Sequence, residues 1–274
     1  MTRASAPRFG WARAASIAIL AIVFLTPLAF MIVGSLRTPG LPPPDGFELW
    51  PETTRPENYE TVFDFIPLWT FLRNSLLVAA IAVPLTVLIA SWAGFTIATT
   101  TRKMRRALIT VSLVALMIPL SALWVPRFVM FKWLGLVDTI WPLVAPALMA
   151  TTPFYVLVFA LAYSRVPKEL YEAARLDGLS PLEIWRKVAW PLAKPAAFAV
   201  GVLAFVFHWA NFIDPLLYLS TEANYTLPLG LRSLQTLEPT NHPILLAACV
   251  MAALPPIVAF LLAQRAFFTK TLDV

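Results

Sequence analysis

The sequence predicts an all-α, polytopic membrane protein with about six transmembrane helices and a pair of short helices on one membrane face. Three observations carry that prediction. The chain has 274 residues, 59% of them hydrophobic and only 13% charged, about half the charge of an ordinary soluble domain. Its apolar residues gather in runs of about 20, the length a helix needs to cross about 30 Å of hydrocarbon. Its Lys and Arg residues concentrate in alternate connecting segments.

The first run, Ser16–Leu36, follows Arg3, Arg8 and Arg13. That layout also suits a secretory signal. The run exceeds the core of about 7–15 residues that such a signal carries, and no small-x-small site follows it cleanly, so an uncleaved anchor is expected. Five further spans follow: Phe71–Ala98, Leu108–Phe131, Thr139–Tyr163, Ala196–Leu219 and Pro243–Ala263. Only helices or closed barrels satisfy every backbone group in lipid, and these runs are too long and continuous for barrel strands. Pro27, Pro84, Pro119 and Pro126 lie inside spans. Neighbouring helices can compensate there, so kinks are expected, not breaks. No internal repeat or second domain is visible; a single domain over residues 1–274 is expected, with its core at 70–266. The single cysteine, Cys249, leaves no disulfide to form within the chain.

With the N-terminus inside, the inner segments hold Arg3, Arg8, Arg13, Arg102, Lys103, Arg105 and Arg106. They also hold Arg165, Lys168, Arg175, Arg186, Lys187, Lys194, Arg265 and Lys270. The positive-inside rule then places both termini in the cytoplasm. It also accounts for the net charge of +6 without nucleic acid. The outer segment Arg37–Thr70 is rich in proline and acids, among them Pro42–Pro44, Asp45, Glu48 and Glu52. It reads either as a solvated loop or as a contact surface for an external partner.

Catalytic chemistry is hard to place. The sequence has no phosphate-cradling G-x-x-x-x-G-K-[ST], no H-E-x-x-H and no G-x-S-x-G. His208 and His242 lie too far apart to form a local metal motif. Hence no catalytic residue, no metal ligand and no cofactor is assigned to this chain. Ionisable groups within spans mark pathways in transporters, and few are present. Arg127 and Lys132 are expected to snorkel to the outer interface. His208, Asn211 and Asp214 recur every three residues in the fifth span, beside Trp209. They read as a polar stripe lining a translocation path, or as an outer helix end loosened by Pro215.

The inner loop Arg165–Pro195 is too long for a turn and carries clear punctuation. Pro167 suits a helix start, Lys168–Asp177 has good helix formers, and Gly178 suits a left-handed cap. Ser180, Pro181 and Glu183 form a capping-box pattern for a second helix, in which Leu182, Trp185 and Val188 make an apolar stripe. Pattern alone leaves two readings: a helix pair lying in the lipid interface, or a knob seated in a groove on a cytosolic partner.

The run Glu172-Ala173-Ala174-Arg175-Leu176-Asp177-Gly178, continuing to Val188-Ala189-Trp190-Pro191-Leu192, resembles the EAA loop of ABC importer permeases. The resemblance extends in order along most of the chain. It includes Glu57-Asn58-Tyr59, Asn74-Ser75-Leu76, Ile118-Pro119, Leu134-Gly135-Leu136 with Asp138-Thr139, Trp209, Phe212, Pro215-Leu216, and Leu227-Pro228-Leu229-Gly230. This set is similar to the carbohydrate-type, maltose-permease-like branch. Two departures stand out: Ala210 follows Trp209 where the family often has Asn, and Phe267–Val274 lacks the Gly-rich tail of related subunits.

The resemblance implies a permease forming half of a sugar translocation path in the cytoplasmic (inner) membrane. It implies a second permease subunit, two ATPase subunits that bind ATP and Mg, and an extracytoplasmic solute-binding protein as partners. It assigns docking on the ATPase to Glu172, Ala173, Ala174, Asp177 and Gly178, with Leu182 and Trp185 on the second helix. The rival expectation is a stand-alone secondary transporter or channel, for which Asp214 is the one good ion-linked carboxylate.

Overall fold

The computed structural model describes residues 10–40 and 50–268. Arg3, Arg8, the Pro42–Pro44 stretch with Asp45 and Glu48, and the tail from Thr269 lie outside the described residues. Among the described residues every regular element is a helix. Its helices are α1 (Gly10–Ser35), α2 (Asn58–Phe65), α3 (Leu68–Thr99), α4 (Arg102–Leu116), α5 (Leu120–Trp133), α6 (Trp141–Val144) and α7 (Pro153–Ser164). They continue as α8 (Lys168–Leu176), α9 (Pro181–Ile184), α10 (Trp190–Leu192), α11 (Lys194–Trp209), α12 (Ile213–Tyr218), α13 (Leu227–Leu237) and α14 (His242–Phe268).

Among the described residues, four segments are long and apolar enough to cross a bilayer: Arg13–Ser35, Leu68–Thr99, Trp141–Ser164, which is interrupted at Ala150–Thr152, and His242–Leu261. Two bent pairs bring the number to as many as six if each is one span: Arg102–Leu116 with Leu120–Trp133, at 90°, and Pro181–Leu192 with Lys194–Trp209, at 82°. The all-α polytopic class therefore holds, while the expected continuity of the third, fourth and fifth spans is corrected. Pro27, Pro84 and Pro126 sit inside unbroken helices, but Pro119 ends one helix and caps the next, with an extended backbone (φ −67°, ψ 137°). Its ring forbids helical geometry to the residue before it, so the apolar run turns a corner. The fifth span stops at Trp209 and restarts at Ile213. Pro215 has no N–H for the carbonyl of Asn211, and its ring crowds that carbonyl.

The chain folds as two compact units. One holds α1 and α2 with Leu231–Leu254. Here Asn58 takes the last carbonyl of α1, which has no partner within the helix, and one just beyond it. Its side-chain amide donates to Ser35 O at 2.7 Å and Arg37 O at 2.8 Å, while the Tyr59 hydroxyl meets Ser35 Oγ at 2.7 Å.

The other unit holds Leu68–Gly230 with the end of α14 from Pro255. At its centre α3 packs on α7 and α11. Gly94 makes the α3–α7 crossing possible: a Cβ there would stand 2.5 Å from Phe159 Cβ and 2.7 Å from the Ala160 nitrogen. Phe95, Phe159, Tyr163 and Val200 fill the core beside this crossing. At the opposite end of α3, Val78, Phe131, Leu143, Tyr218 and Leu229 form a second core. That end is tied by polar bonds. Asn74 donates to the carbonyls of Ala223 and Tyr225 at 2.8 and 3.0 Å, and Ser75 Oγ accepts from Leu227 N–H at 2.7 Å. Asp138, at φ 64°, accepts from the Ser220 and Thr221 N–H groups and from the Thr221 hydroxyl. These bonds hold its carboxyl well below the usual carboxylate range, the Thr221 hydroxyl contributing most.

Candidate functional site

The loop Arg165–Pro195 folds as the sequence punctuation predicts, from caps outward. Gly178 takes φ 77°. Its N–H reaches Arg175 O at 3.0 Å and the next N–H, of Leu179, reaches Ala174 O at 3.1 Å, the paired bonds of a Schellman stop. Ser180 then starts the second helix: its N–H donates to Glu183 Oε2 at 3.0 Å, and the Glu183 N–H donates back to Ser180 Oγ at 3.4 Å. Lys187 adds a bond to Glu183 Oε1 at 3.0 Å. The Ser180 backbone bond and these neighbours draw the Glu183 carboxyl down to about 2. Pro167 stands at the N-cap of α8, one place before the expected first helical position.

The pair has two faces. Glu172, Ala173, Asp177, Gly178 and Leu182 point outward and are exposed. Leu176, outside the docking set expected from the sequence, is 89% exposed, with Arg175 exposed beside it. A signal for it exists: Tyr171 and Ala174, spaced i and i+3, define the inner stripe of α8, and Leu176 falls off that stripe. Ala174 and Trp185, both assigned to the docking set, face inward. Ala174 is 5% exposed. Trp185 turns to α3, donating its indole N–H to Ser91 Oγ at 3.0 Å and meeting Trp92 edge-on at 5.3 Å. The cause is local. Residues Trp185–Ala189 form a π-turn, with Trp190 N–H bonded to Trp185 O, and the helical spacing used to read the stripe does not survive it.

The inner face is bonded as well as packed. The Tyr171 hydroxyl donates to Tyr163 O at 3.2 Å, and the Tyr163 hydroxyl lies 2.5 Å from Ser91 Oγ. Burial, with the Tyr163 phenol nearby, pushes the Tyr171 hydroxyl up to about 12, so it remains a proton donor at neutral pH.

The second candidate set is dispersed. His208, Asn211 and Asp214 do not share a stripe, because the helix breaks between the first and the last. His208 ends α11 with Nε2 3.4 Å from Thr151 Oγ1. Thr151 sits in the left-handed region (φ 60°) at a break before α7 and lies 2.5 Å from the Thr86 hydroxyl. Trp209 is buried and stacks on Phe205 at 5.5 Å. Asn211 instead lies just before the N-cap of α12 and serves its first turn, accepting from Asp214 N–H at 3.2 Å and donating to Asp214 Oδ2 at 2.9 Å. Arg127, expected at the interface, comes within 3.8 Å of Asp214 and lies over the Tyr218 ring at 5.9 Å.

Residues 86–272 match the family described as the binding-protein-dependent transport system inner membrane component. The chain is 33% identical over 270 residues to the arabinooligosaccharides transport system permease protein AraQ of Halalkalibacterium halodurans, covering 97% of this chain and 96% of that protein. It is 29% identical over 247 residues to the sulfoquinovosyl glycerol transport system permease protein SmoH of Agrobacterium fabrum, covering 90% and 87%. Its fold matches a chain from the crystal structure of a bacterial ABC transporter involved in the import of the acidic polysaccharide alginate. The TM-score there is 0.77 at 21% identity, covering 96% of this chain and 99% of that one.

Proposed function

Since the chain belongs to the binding-protein-dependent transport system inner membrane components, we propose that it supplies half of the translocation path of an ABC importer for a sugar or related solute. A second permease subunit supplies the other half. Two ATPase subunits, which bind ATP and Mg, drive it, and an extracytoplasmic solute-binding protein delivers the solute. The sugar class follows the relatives, whose names give arabinooligosaccharides and sulfoquinovosyl glycerol.

One observation carries the assignment of the docking site: a self-capped helix pair with Glu172, Leu176 and Leu182 outward and its inner face bonded to the spans. A pair lying in lipid would turn its apolar side chains and its polar ones to opposite faces. Here the exposed tip alternates, with Leu176 between Arg175 and Asp177. That is the make-up of a knob entering a pocket with a polar rim. The pair and both termini face the cytoplasm of the inner membrane in this reading, which the distribution of Lys and Arg supports. ATP binding closes the ATPase dimer, the pair moves with it, and the spans pass between inward-open and outward-open states. Asp214 supports the rival ion-coupled mechanism poorly, since Arg127 and Asn211 already engage it.

The test is a pull-down of the tagged chain from membranes in mild detergent, followed by an ATPase assay of the eluate. ATPase subunits and a second permease should co-purify, with hydrolysis raised by the binding protein. Leu176→Asp and Glu172→Lys should each lower the recovered ATPase about tenfold or more, the loss expected from one interface anchor. Undiminished recovery in both would return the helix pair to the lipid interface.

A further inference from the structure

The helix pair meets the spans at one buried hydroxyl. Ser91 is fully buried in α3. Its Oγ lies 2.5 Å from the Tyr163 hydroxyl, in the last turn of α7, and accepts the Trp185 indole N–H at 3.0 Å. The Tyr163 carbonyl in turn accepts the Tyr171 hydroxyl at 3.2 Å. One atom of α3 therefore holds α7 and the second helix of the pair, and α7 holds the first helix. An indole nitrogen donates and never accepts, so only an oxygen at Ser91 completes the set.

Apolar packing alone would seat the pair, and buried hydroxyls cost free energy unless each is bonded. What the bonds add is a fixed register. A hydrogen bond tolerates a narrow range of distance and angle, whereas apolar helix contacts allow the small sliding of shear motions. The aromatic surroundings keep water away: Trp92 stands edge-on to Trp185 at 5.3 Å, and Phe95 meets Tyr163 at 5.7 Å and Tyr171 at 6.0 Å. The π-turn at Trp185 brings the indole round to Ser91, and such turns within helices often mark working positions.

We propose that Ser91 is the positioning residue that makes the helix pair, α3 and α7 move as one body, so that displacement imposed by the ATPases reaches the spans undiminished. This inference rests on the importer reading above. Without the hydroxyl the aromatic rings still pack and the pair stays seated. It then slips against α3 under load, and ATP is hydrolysed with less solute moved.

The test uses the complete transporter in liposomes: this chain, its partner subunits and the binding protein. Ser91→Ala, Tyr163→Phe and Trp185→Phe each remove polar atoms from the junction. The ATPase subunits should co-purify at the wild-type level and hydrolysis should continue. Solute imported per ATP should fall about fivefold or more, the lower end of ordinary coupling between sites. Adding Trp185→Phe to Ser91→Ala should lower it no further, because both remove the same bond. Wild-type import per ATP in every variant that retains its ATPases overturns the inference, and so do import and hydrolysis falling in proportion. A variant that fails to assemble leaves the decision to the other two. A wild-type preparation with no ATPase overturns the importer reading itself, and the inference with it, and the wild-type sample alone tells that failure from the others.

Discussion

Gly178 turns the chain between the two helices of the pair at φ 77°, and an added Cβ would have nothing within 4 Å to strike. Its constraint is therefore purely one of backbone, about 1–2 kcal/mol for an ordinary L residue in the left-handed region. Gly178→Val should accordingly weaken ATPase co-purification well below the wild-type level, while Gly178→Asn, which tolerates that region, should retain most of it. Equal loss in both would point to steric contact with the partner. Positions like this one are legible in a sequence because a cap is decided within a few residues, as Ser180 and Glu183 also were. Trp185 was not legible: which way its ring points depends on a five-residue π-turn and on a hydroxyl 94 positions away in the chain.

Helices obey their local signals until a backbone bond is missing. The capping box at the start of the second helix depends on an ionised Glu183, whose carboxyl is lowered to about 2 from an ordinary 4.5. A lowered value means the cap is fully present above pH 4.5 and lost as pH falls through about 2. Hydrogen exchange over Ser180–Lys187, corrected for intrinsic rates, should hold steady from neutral pH down to that range and then accelerate. In Ser180→Ala it should run several-fold faster already at neutral pH; equal protection would show that docking to the spans, not the cap, holds the segment. The break at Pro119 is illegible in the sequence for the opposite reason. Hydropathy continues through Met117-Ile118-Pro119-Leu120 and records no change of direction, so a corner and a gentle kink look alike. α13 was missed as a helix because Leu227-Pro228-Leu229-Gly230 joins a helix breaker to a proline at its start.

Across the whole chain, lipid demands that every backbone polar group find a partner, and that demand made the class and most span positions readable from runs of apolar residues. Interrupted spans need side chains to close the gaps, and those partners are far apart in sequence. Asp214 shows the pattern, since Asn211 caps its N–H while Arg127 arrives from α5. Asp214→Leu should leave the guanidinium without its counter-charge and lower stability by about 3 kcal/mol, whereas Arg127→Met with Asp214→Leu should recover most of that loss. Thermal unfolding in detergent of both singles and the double closes the cycle; a double no more stable than the Asp214 variant would mean the pair does not interact. The motifs Glu57-Asn58-Tyr59, Asn74-Ser75-Leu76 and Asp138-Thr139 turn out to be such closures, with Asn58, Asn74, Ser75 and Asp138 each bonded to a segment elsewhere in its own unit.

The two-faced build of the helix pair also bears on how such machines diverge. The inner face is committed to Tyr171, Ala174 and Trp185, and the turn is closed by its own residues. The outward side chains of Glu172, Leu176 and Leu182 take part in none of those bonds. On the docking proposed above, substitutions at the outward side chains can therefore alter the choice of motor while the linkage to the spans is inherited intact.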